Sequence, residues 1–318
     1  MQDTKVNLMI GICPKYTKLE WDMHVSRKSM DEVISGYHAE EMDVNKILDS
    51  HHRQKDNIER ILSEYGSDAV VIDILSVIEN RKDENVRKDK NDMKDKPKID
   101  VLVSIGGDNF FQLCTHHYPD SIILGVNSDP QWSHGGLLYF DSGYLIRNIG
   151  NIISGNYSTE YWTRVSTTIN GKRISDGTCT VSLGTNHSDM ITRYLLRKGI
   201  ESEEQKSSGI LVVSGAGSGD GAWYRNAGLY LSSNGKENTG EFGVSERRIM
   251  TLTREPFFPG EYSMTNVAAS GDESIELVYW SNEPAMISVD SIDRYDVHNG
   301  DRIEFSVSDK SLEVIRDF

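Results

Sequence analysis

The segment Val101-Leu-Val-Ser-Ile-Gly-Gly-Asp-Asn-Phe-Phe111 constrains the fold of this chain more than any other. A short apolar run bounded by glycine reads as a core strand. Paired glycines at its end allow a turn that side chains would block, and let a ligand come close to the backbone. The helix predicted to follow turns free N–H groups toward that place, which favours an anion such as phosphate. Strand, tight turn and helix in this order belong to an α/β architecture whose strand ends line a crevice. Asp108 therefore stands where an anion would bind, and a carboxylate there would serve as a base or act through a metal. The competing reading is an ordinary turn whose Asp caps the helix. The motif alone leaves the two even.

The surrounding sequence extends the α/β pattern. Val6–Ile12, Ala69–Ile74 and Ile122–Val126 read as further strands. Residues 44, 48, 51, 55, 58, 62 and 65 recur at spacings of four and three, one stripe of a long helix that Gly66 would stop. Residues 80 to 98 are mostly charged or amidic and read as a solvated loop. Strand–helix alternation implies a parallel sheet covered by helices. Beyond about residue 145 the segments shorten and alternate with period two: Thr163–Ile169, Ile191–Leu195, Ile275–Tyr279 and Arg302–Ser306, with Asn170-Gly171 as a hairpin turn. At 318 residues, two domains are expected. They are an N-terminal parallel-sheet α/β domain over 1–144 and a β-rich, sandwich-like domain over 145–318, whose last residues could pack back on the first, with a ligand cleft between them.

Composition removes several function classes. The formal net charge of −15 opposes a general nucleic-acid binder. Three cysteines, Cys13, Cys114 and Cys179, without a C-x-x-C pattern argue against a disulfide scaffold or zinc site and for a reducing, cytoplasmic setting. The first apolar run is too short for a signal peptide or a membrane span.

Two more segments can carry chemistry. Ile123-Leu-Gly-Val-Asn-Ser-Asp-Pro-Gln-Trp-Ser-His-Gly-Gly136 ends another strand in small and polar residues. Asn127, Asp129 and Ser133 could reach a polar ligand there, although each by itself is better explained as a loop cap; His134, in the same segment, is the histidine to test as a ligand contact. Ser207–Tyr224 runs from a strand into a loop with glycines at 215, 217, 219 and 221. Such a loop can hold a nucleotide through backbone donors. Alone it reads rather as a flexible connection, and no Gly-Lys-Ser/Thr marks a P-loop. Trp132, Trp223 and Tyr224 could stack on a base. His51-His52 and His116-His117 lack the i, i+4 spacing of a metal pair and read as surface or interface residues.

Taken in order, these segments resemble the NAD kinase family. That family's Gly-Gly-Asp-Gly, Gly-Val-Asn-Thr-Asp-like, Asn-Asp/Glu and Thr-Gly-Ser-x-Ala-Tyr elements meet Gly106-Gly-Asp-Asn109, Gly125-Val-Asn-Ser-Asp-Pro130, Asn186-His187 and Gly217-Ser-Gly-Asp-Gly-Ala-Trp223. Ile287–Asp293 and His298–Ile303 look like the closing hairpins. Lys15-Tyr-Thr17, His51-His52 and Gln205-Lys-Ser-Ser-Gly209 resemble the mitochondrial-type branch. The resemblance implies an α/β plus β-rich fold and phosphorylation of the NAD ribose 2′-hydroxyl by ATP with Mg²⁺, giving NADP. It also implies a homodimer or homotetramer. It puts Asp108 in the role of base and places Gly106, Gly107, Asn109, Phe110, Asn127, Asp129, Ser133, His134, Asn186, His187, Asp189, Ser214, Gly217, Ser218, Gly219, Asp220, Ala222 and Trp223 at the substrates. The chain departs from the pattern at Asn109, at Phe110 where a small Thr is usual, at His187 (Asp189 being a shifted substitute), and in a glycine loop longer by two residues. Those departures keep open a catalytically weak NAD(P)-binding homologue acting as sensor or partner. A lipid or sphingoid-base kinase shares the Gly-Gly-Asp-Gly turn, but Gly125–Pro130 and the closing hairpins speak against it.

Overall fold

A computed structural model of the chain describes residues 8–65, 69–75, 98–187, 189–219, 222–233, 240–257 and 262–318. Val6 and Asn7 of the expected first strand, Gly66, residues 80–97 of the charged loop, the site candidate Asp220 and its neighbour Gly221 lie outside the described residues. The chain divides into two units, Met1–Thr159 with Val314–Phe318, and Glu160–Glu313.

The first unit holds strands β1 (Ile10–Pro14), β2 (Ala69–Val71), β3 (Val101–Gly106), β4 (Ile122–Asn127) and β5 (Phe140–Asp141). Its helices are α1 (Lys18–Ser26), α2 (Met30–Ala39), α3 (Val44–Tyr65), α4 (Asp108–His117) and α5 (Ser142–Ile153). With β6 (Ser158–Trp162) and the last strand, β19 (Leu312–Asp317), these strands make one sheet in the order β2-β1-β3-β4-β19-β6, β5 pairing with β4. β1 pairs in parallel with both β2 and β3, and β3 with β4. The order runs outward from β1 to β2 and then reverses to β3. The switch point of the sheet, where ligands of open α/β sheets bind, therefore lies between the C-terminal ends of β1 and β3.

All six residues of β3 are buried, as a parallel strand covered on both faces requires. Ile10, Ile12, Val101, Val103, Ile105, Leu124 and Val126 pack with Ile58, Ile61 and Tyr65 of α3 and with Leu145, Ile149 and Ile152 of α5. Each such side chain, fully buried, contributes about 1.5–3 kcal/mol. A domain boundary after residue 144 would cut α5 away from this core. The short terminal strands also shift from expectation: β1 starts at Ile10 and runs on to Pro14, and β2 stops at Val71. α1 and α2 were not anticipated, although Met30, Val33, Ile34 and Tyr37 of α2 stand at helical spacing. What marks them is their capping boxes, Thr17 with Glu20 and Ser29 with Glu32.

The second unit is two antiparallel sheets. One has the order β11 (Glu201–Ser207), β10 (Thr192–Lys198), β15 (Ser274–Tyr279), β18 (Arg302–Val307), β7 (Val165–Ile169), β8 (Lys172–Arg173). The other has the order β14 (Asn266–Ser270), β13 (Arg248–Arg254), β12 (Gly209–Val213), β9 (Thr180–Thr185), β16 (Ala285–Val289), β17 (Asp293–Val297). Period-two sequences put one face of each strand inside: β18 alternates Ile303, Phe305 and Val307 inward with Glu304 exposed between. Those inward residues share a core with Val181, Leu183, Ile210, Val212 and Ile287. The Asn170-Gly171 turn joins β7 to β8 with φ of 52° and 76°, both in the region a two-residue hairpin turn needs. Helix α6 (Trp223–Ser233) packs on β13. The α/β plus β-rich architecture is the one anticipated.

Candidate functional site

β3 delivers its chain into Gly106-Gly107-Asp108. Gly107 is the N-cap of α4, extended at φ −117° and ψ −176°, and no side chain caps this helix. The Asp108 carboxylate turns away from its own helix. Oδ2 accepts the Gly136 N–H at 3.1 Å and Oδ1 accepts the Leu137 N–H at 2.9 Å. The helix-cap reading of this motif is thus not the geometry found. An ionised carboxylate has roughly four acceptor positions, so two remain for a ligand hydroxyl. Phe110 folds back onto the turn: a Cβ on Gly106 would lie 2.7 Å from its ring. Asn109 is exposed.

The loop that supplies Gly136 and Leu137 begins at the end of β4. Asn127 is buried; its Nδ2 donates to Ser133 O at 2.9 Å and its Oδ1 accepts from Asp129 N at 3.1 Å. Asp129 O accepts the N–H groups of Trp132 and Ser133. Gly135, at φ +65°, passes so close to Asn127 that a Cβ would sit 2.5 Å from Nδ2. Ser133 Oγ lies 3.2 Å from where a Gly107 Cβ would be. Gly106, Gly107, Asp108, Asn127, Asp129 and Ser133 are thereby brought together. Within the protein, Asn127 and Asp129 act as organisers of the loop that grips Asp108. His134 is exposed, and Trp132 lies on the surface with Lys46 Nζ 3.4 Å from its ring centroid.

The polar face of α3 anchors the same loop. Asp129 accepts from Ser50 Oγ at 2.5 Å and from Arg53 at 3.3 Å. Gln54 donates to Ser50 at 3.0 Å and accepts from Ser128 Oγ at 2.9 Å. Sequence reasoning missed Ser50, Arg53 and Gln54; the only local signal was a polar pair at i, i+4, Ser50 and Gln54, beside the stripe. One turn away, His51 Nδ1 meets Thr17 Oγ1 at 2.8 Å, and Lys55 donates to Glu20 at 2.8 Å. Burial pushes the His51 imidazole below its ordinary pKa, against the pull of Glu20. Burial works to raise Glu20, but Lys55 and Thr17 hold it below the usual carboxylate value.

In the second unit, the glycine loop is tied down by packing. Ser214 donates its N–H to Cys179 O at 3.1 Å and its hydroxyl to Thr178 O at 2.6 Å. Gly215–Ser218 form one buried 3₁₀ turn. A Cβ on Gly215 would lie 2.1 Å from Gly243 O, and one on Gly217 would lie 2.2 Å from Cys179 O. Those two glycines are dictated by close backbone approach. Gly219, by contrast, faces open space, and Ala222 N donates to its carbonyl at 3.1 Å. Trp223 opens α6, exposed, with the Arg254 guanidinium 4.4 Å from its ring centroid.

Asn186, His187 and Asp189 do not join Ser214–Gly219. β9 runs antiparallel to β12, Thr180 opposite Val213 and Leu183 opposite Ile210. The end of β9 that carries Asn186 is therefore the far end, about 24 Å from Ser214 at ~3.4 Å per residue. The residues that do face the glycine loop are Thr178, Cys179 and Thr180. Their N–H groups converge on the buried Asp290 carboxylate at 2.6, 2.9 and 2.8 Å. Asp290, 110 residues away from Thr180, belongs to the segment read as a closing hairpin, but nothing in that motif pointed to this contact.

Among the described residues, no three His, Cys, Asp or Glu side chains gather as a metal site, and no helix is long and apolar enough to cross a membrane. No protein family model matches the sequence, and no curated protein matches it. Solved structures do. The chain is similar to yeast NADH kinase complexed with NADH, with a TM-score of 0.64 at 15% identity, over 98% of this chain and 84% of that one. It is also similar to an NAD kinase from Archaeoglobus fulgidus in complex with ATP, with a TM-score of 0.60 at 14% identity, over 98% and 94%. The two-unit fold described above is the fold of those structures.

Proposed function

We propose that this chain transfers the terminal phosphoryl group of ATP to the adenosine ribose 2′-hydroxyl of NAD, making NADP, with Asp108 as the base. The observation that carries the reading is the Asp108 carboxylate. It is turned off its own helix, gripped by two backbone N–H groups, and set at the end of β3 beside the switch point of the sheet. The fold supports it, because one solved protein of this fold is a kinase with NADH and another a kinase with ATP.

A ribose hydroxyl is a weak nucleophile. As its oxygen attacks the γ-phosphorus, a carboxylate within hydrogen-bond reach takes its proton. The bond from the γ-phosphorus to the bridging oxygen breaks, and its electron pair leaves on ADP. The remaining demands are alignment and charge neutralisation, with magnesium arriving as the MgATP complex. Gly106, Gly107, Asn109, Phe110, Ser133 and His134 surround Asp108 and would meet the substrates there. Of the glycine loop, Gly219 and Ala222 are half-buried and Trp223 is exposed, so these three are its accessible part. Cys13, Cys114 and Cys179, none of them in a disulfide, suit a reducing, cytoplasmic setting, and the resemblance to the NAD kinase family implies a homodimer or homotetramer.

Coupled detection of NADP from NAD and ATP tests the reading. Wild-type protein should form NADP, and Asp108→Asn should lower kcat by about 10²–10⁴-fold without unfolding. Absence of NADP, or an Asp108→Asn variant as active as wild type, refutes it. One observation favours a non-catalytic NAD(P)-binding homologue instead: the Phe110 ring covers Gly106, where a small residue would leave the backbone open. Phe110→Thr separates the two, since a gain of turnover would identify the ring as the obstruction.

A further inference from the structure

A pocket of about 370 Å³ opens at the C-terminal ends of β1 and β2, lined by Lys15, Tyr16, Glu20, Lys55, Ile72 and Asp73 among others. Ligand pockets for drug-sized molecules span about 300–1,000 Å³, so this one has room for a phosphate chain and little room for a dinucleotide. Its charges are unequally committed. Lys55 and Glu20 pair with each other at 2.8 Å. Asp73 accepts from the Tyr16 hydroxyl at 3.2 Å and from Leu75 N at 3.1 Å. Asp129, whose charge acts on Lys15 from beyond the pocket, is engaged by Ser50 and Arg53. The Lys15 ammonium makes no hydrogen bond or ion pair among the described residues. Burial holds its pKa below the ordinary lysine value, with Asp129 pulling the other way. A half-buried cation without a partner is costly unless an anion joins it.

The backbone fixes where that cation stands. Lys15 N donates to Ile105 O at 2.9 Å, and Pro14 pairs with Ile105. Lys15 is therefore level with Gly106 on the neighbouring strand, about 4.8 Å away across the sheet, and Asp108 follows two residues later. We propose that this pocket holds the polyphosphate of the phosphoryl donor, with Lys15 as the cation that binds it. The proposal rests on the NAD kinase reading. A phosphate chain lying on Lys15 and ending at Gly106-Gly107 brings its terminal phosphorus to the carboxylate that takes the acceptor's proton. The acceptor oxygen bonds to that phosphorus, the bridging P–O bond breaks, and the leaving diphosphate stays on Lys15.

The test uses the full chain with inorganic tripolyphosphate, titrated by calorimetry, and with NAD and ATP in steady-state assays. Wild type should bind tripolyphosphate, and Lys15→Met should bind it at least about tenfold more weakly, with Lys15→Arg restoring binding. In turnover, Lys15→Met should raise KM for ATP about tenfold while KM for NAD stays within about twofold. If Lys15→Met does not fold, Lys15→Gln carries the same comparison. The proposal is overturned if wild type binds no tripolyphosphate, if Lys15→Met and Lys15→Gln bind it as wild type does, or if KM for NAD rises instead. Lys15-dependent tripolyphosphate binding in a wild-type protein that makes no NADP upholds the phosphate pocket and removes the NAD kinase reading.

Discussion

Gly135→Ala attacks the loop that holds Asp108 without touching Asp108. The native φ of +65° costs an L-residue about 1–2 kcal/mol. The new Cβ would start 2.5 Å from Asn127 Nδ2, closer than real contacts allow, so Asn127 must move and surrender its 2.9 Å bond to Ser133 O. A typical internal hydrogen bond contributes about 0.5–1.5 kcal/mol. Together the penalty is about 1.5–3.5 kcal/mol, or a fall in Tm of about 3–14 °C for a unit of this size. Gly150→Ala is the control. It lies inside α5 with nothing within 4 Å of the added methyl, and should stabilise by about 0.5–1 kcal/mol. Urea unfolding followed by circular dichroism measures both. Asn127→Ala supplies the second arm: in that background the Gly135→Ala penalty should shrink to the φ cost, about 1–2 kcal/mol. The reasoning fails if Gly135→Ala unfolds within about 0.5 kcal/mol of wild type, or if its penalty is unchanged by Asn127→Ala. Because Gly136 and Leu137 move with Gly135, NADP formation should fall in the same variant.

Two further outcomes follow from the same structure. Asp290→Ala strips a buried acceptor from three backbone N–H groups; at about 1–3 kcal/mol per orphaned donor, the second unit should lose at least ~3 kcal/mol, read as insoluble expression or a large drop in urea midpoint. A variant of wild-type stability would show that water replaces the carboxylate. His51 carries a pH dependence. Its folded pKa lies below the ordinary 6.5, so the unfolded chain binds more protons between the two values. The stability it contributes is complete above pH 6.5 and is lost as pH falls toward the folded pKa. Urea midpoints at successive pH values should therefore fall more steeply for wild type than for His51→Gln below that point. Parallel slopes would remove His51 from the acid response.

Much of the fold could be read before any coordinates, and the reason differs by element. Val101–Ile105 is apolar on both faces because a parallel strand is covered twice. The stripe of α3 and the alternation of β15 and β18 follow from one buried face each. The Asn170-Gly171 turn is legible because few residues accept positive φ. The candidate site was legible where its parts are contiguous, as at Gly106–Phe110 and Asn127–Gly136. Asn186-His187 was legible only as a word. In the chain it lies 28 residues before Ser214; in space the antiparallel run of β9 against β12 carries it to the opposite end of the sheet.

The sequence by itself determined the two architectures and the position of Asp108 at the end of a core strand, since burial periodicity and turn chemistry are local properties. The tertiary structure alone decided what that carboxylate does with its oxygens. Its partners are N–H groups 28 and 29 residues away, held in place by Asn127 and by a polar face of α3 more than 70 residues from the loop it grips. Hydrogen bonds of that span depend on how the sheet orders its strands, and no local pattern encodes them. The same ordering sets Lys15 beside Gly106, and so turns a lysine near the chain's beginning into a neighbour of Asp108.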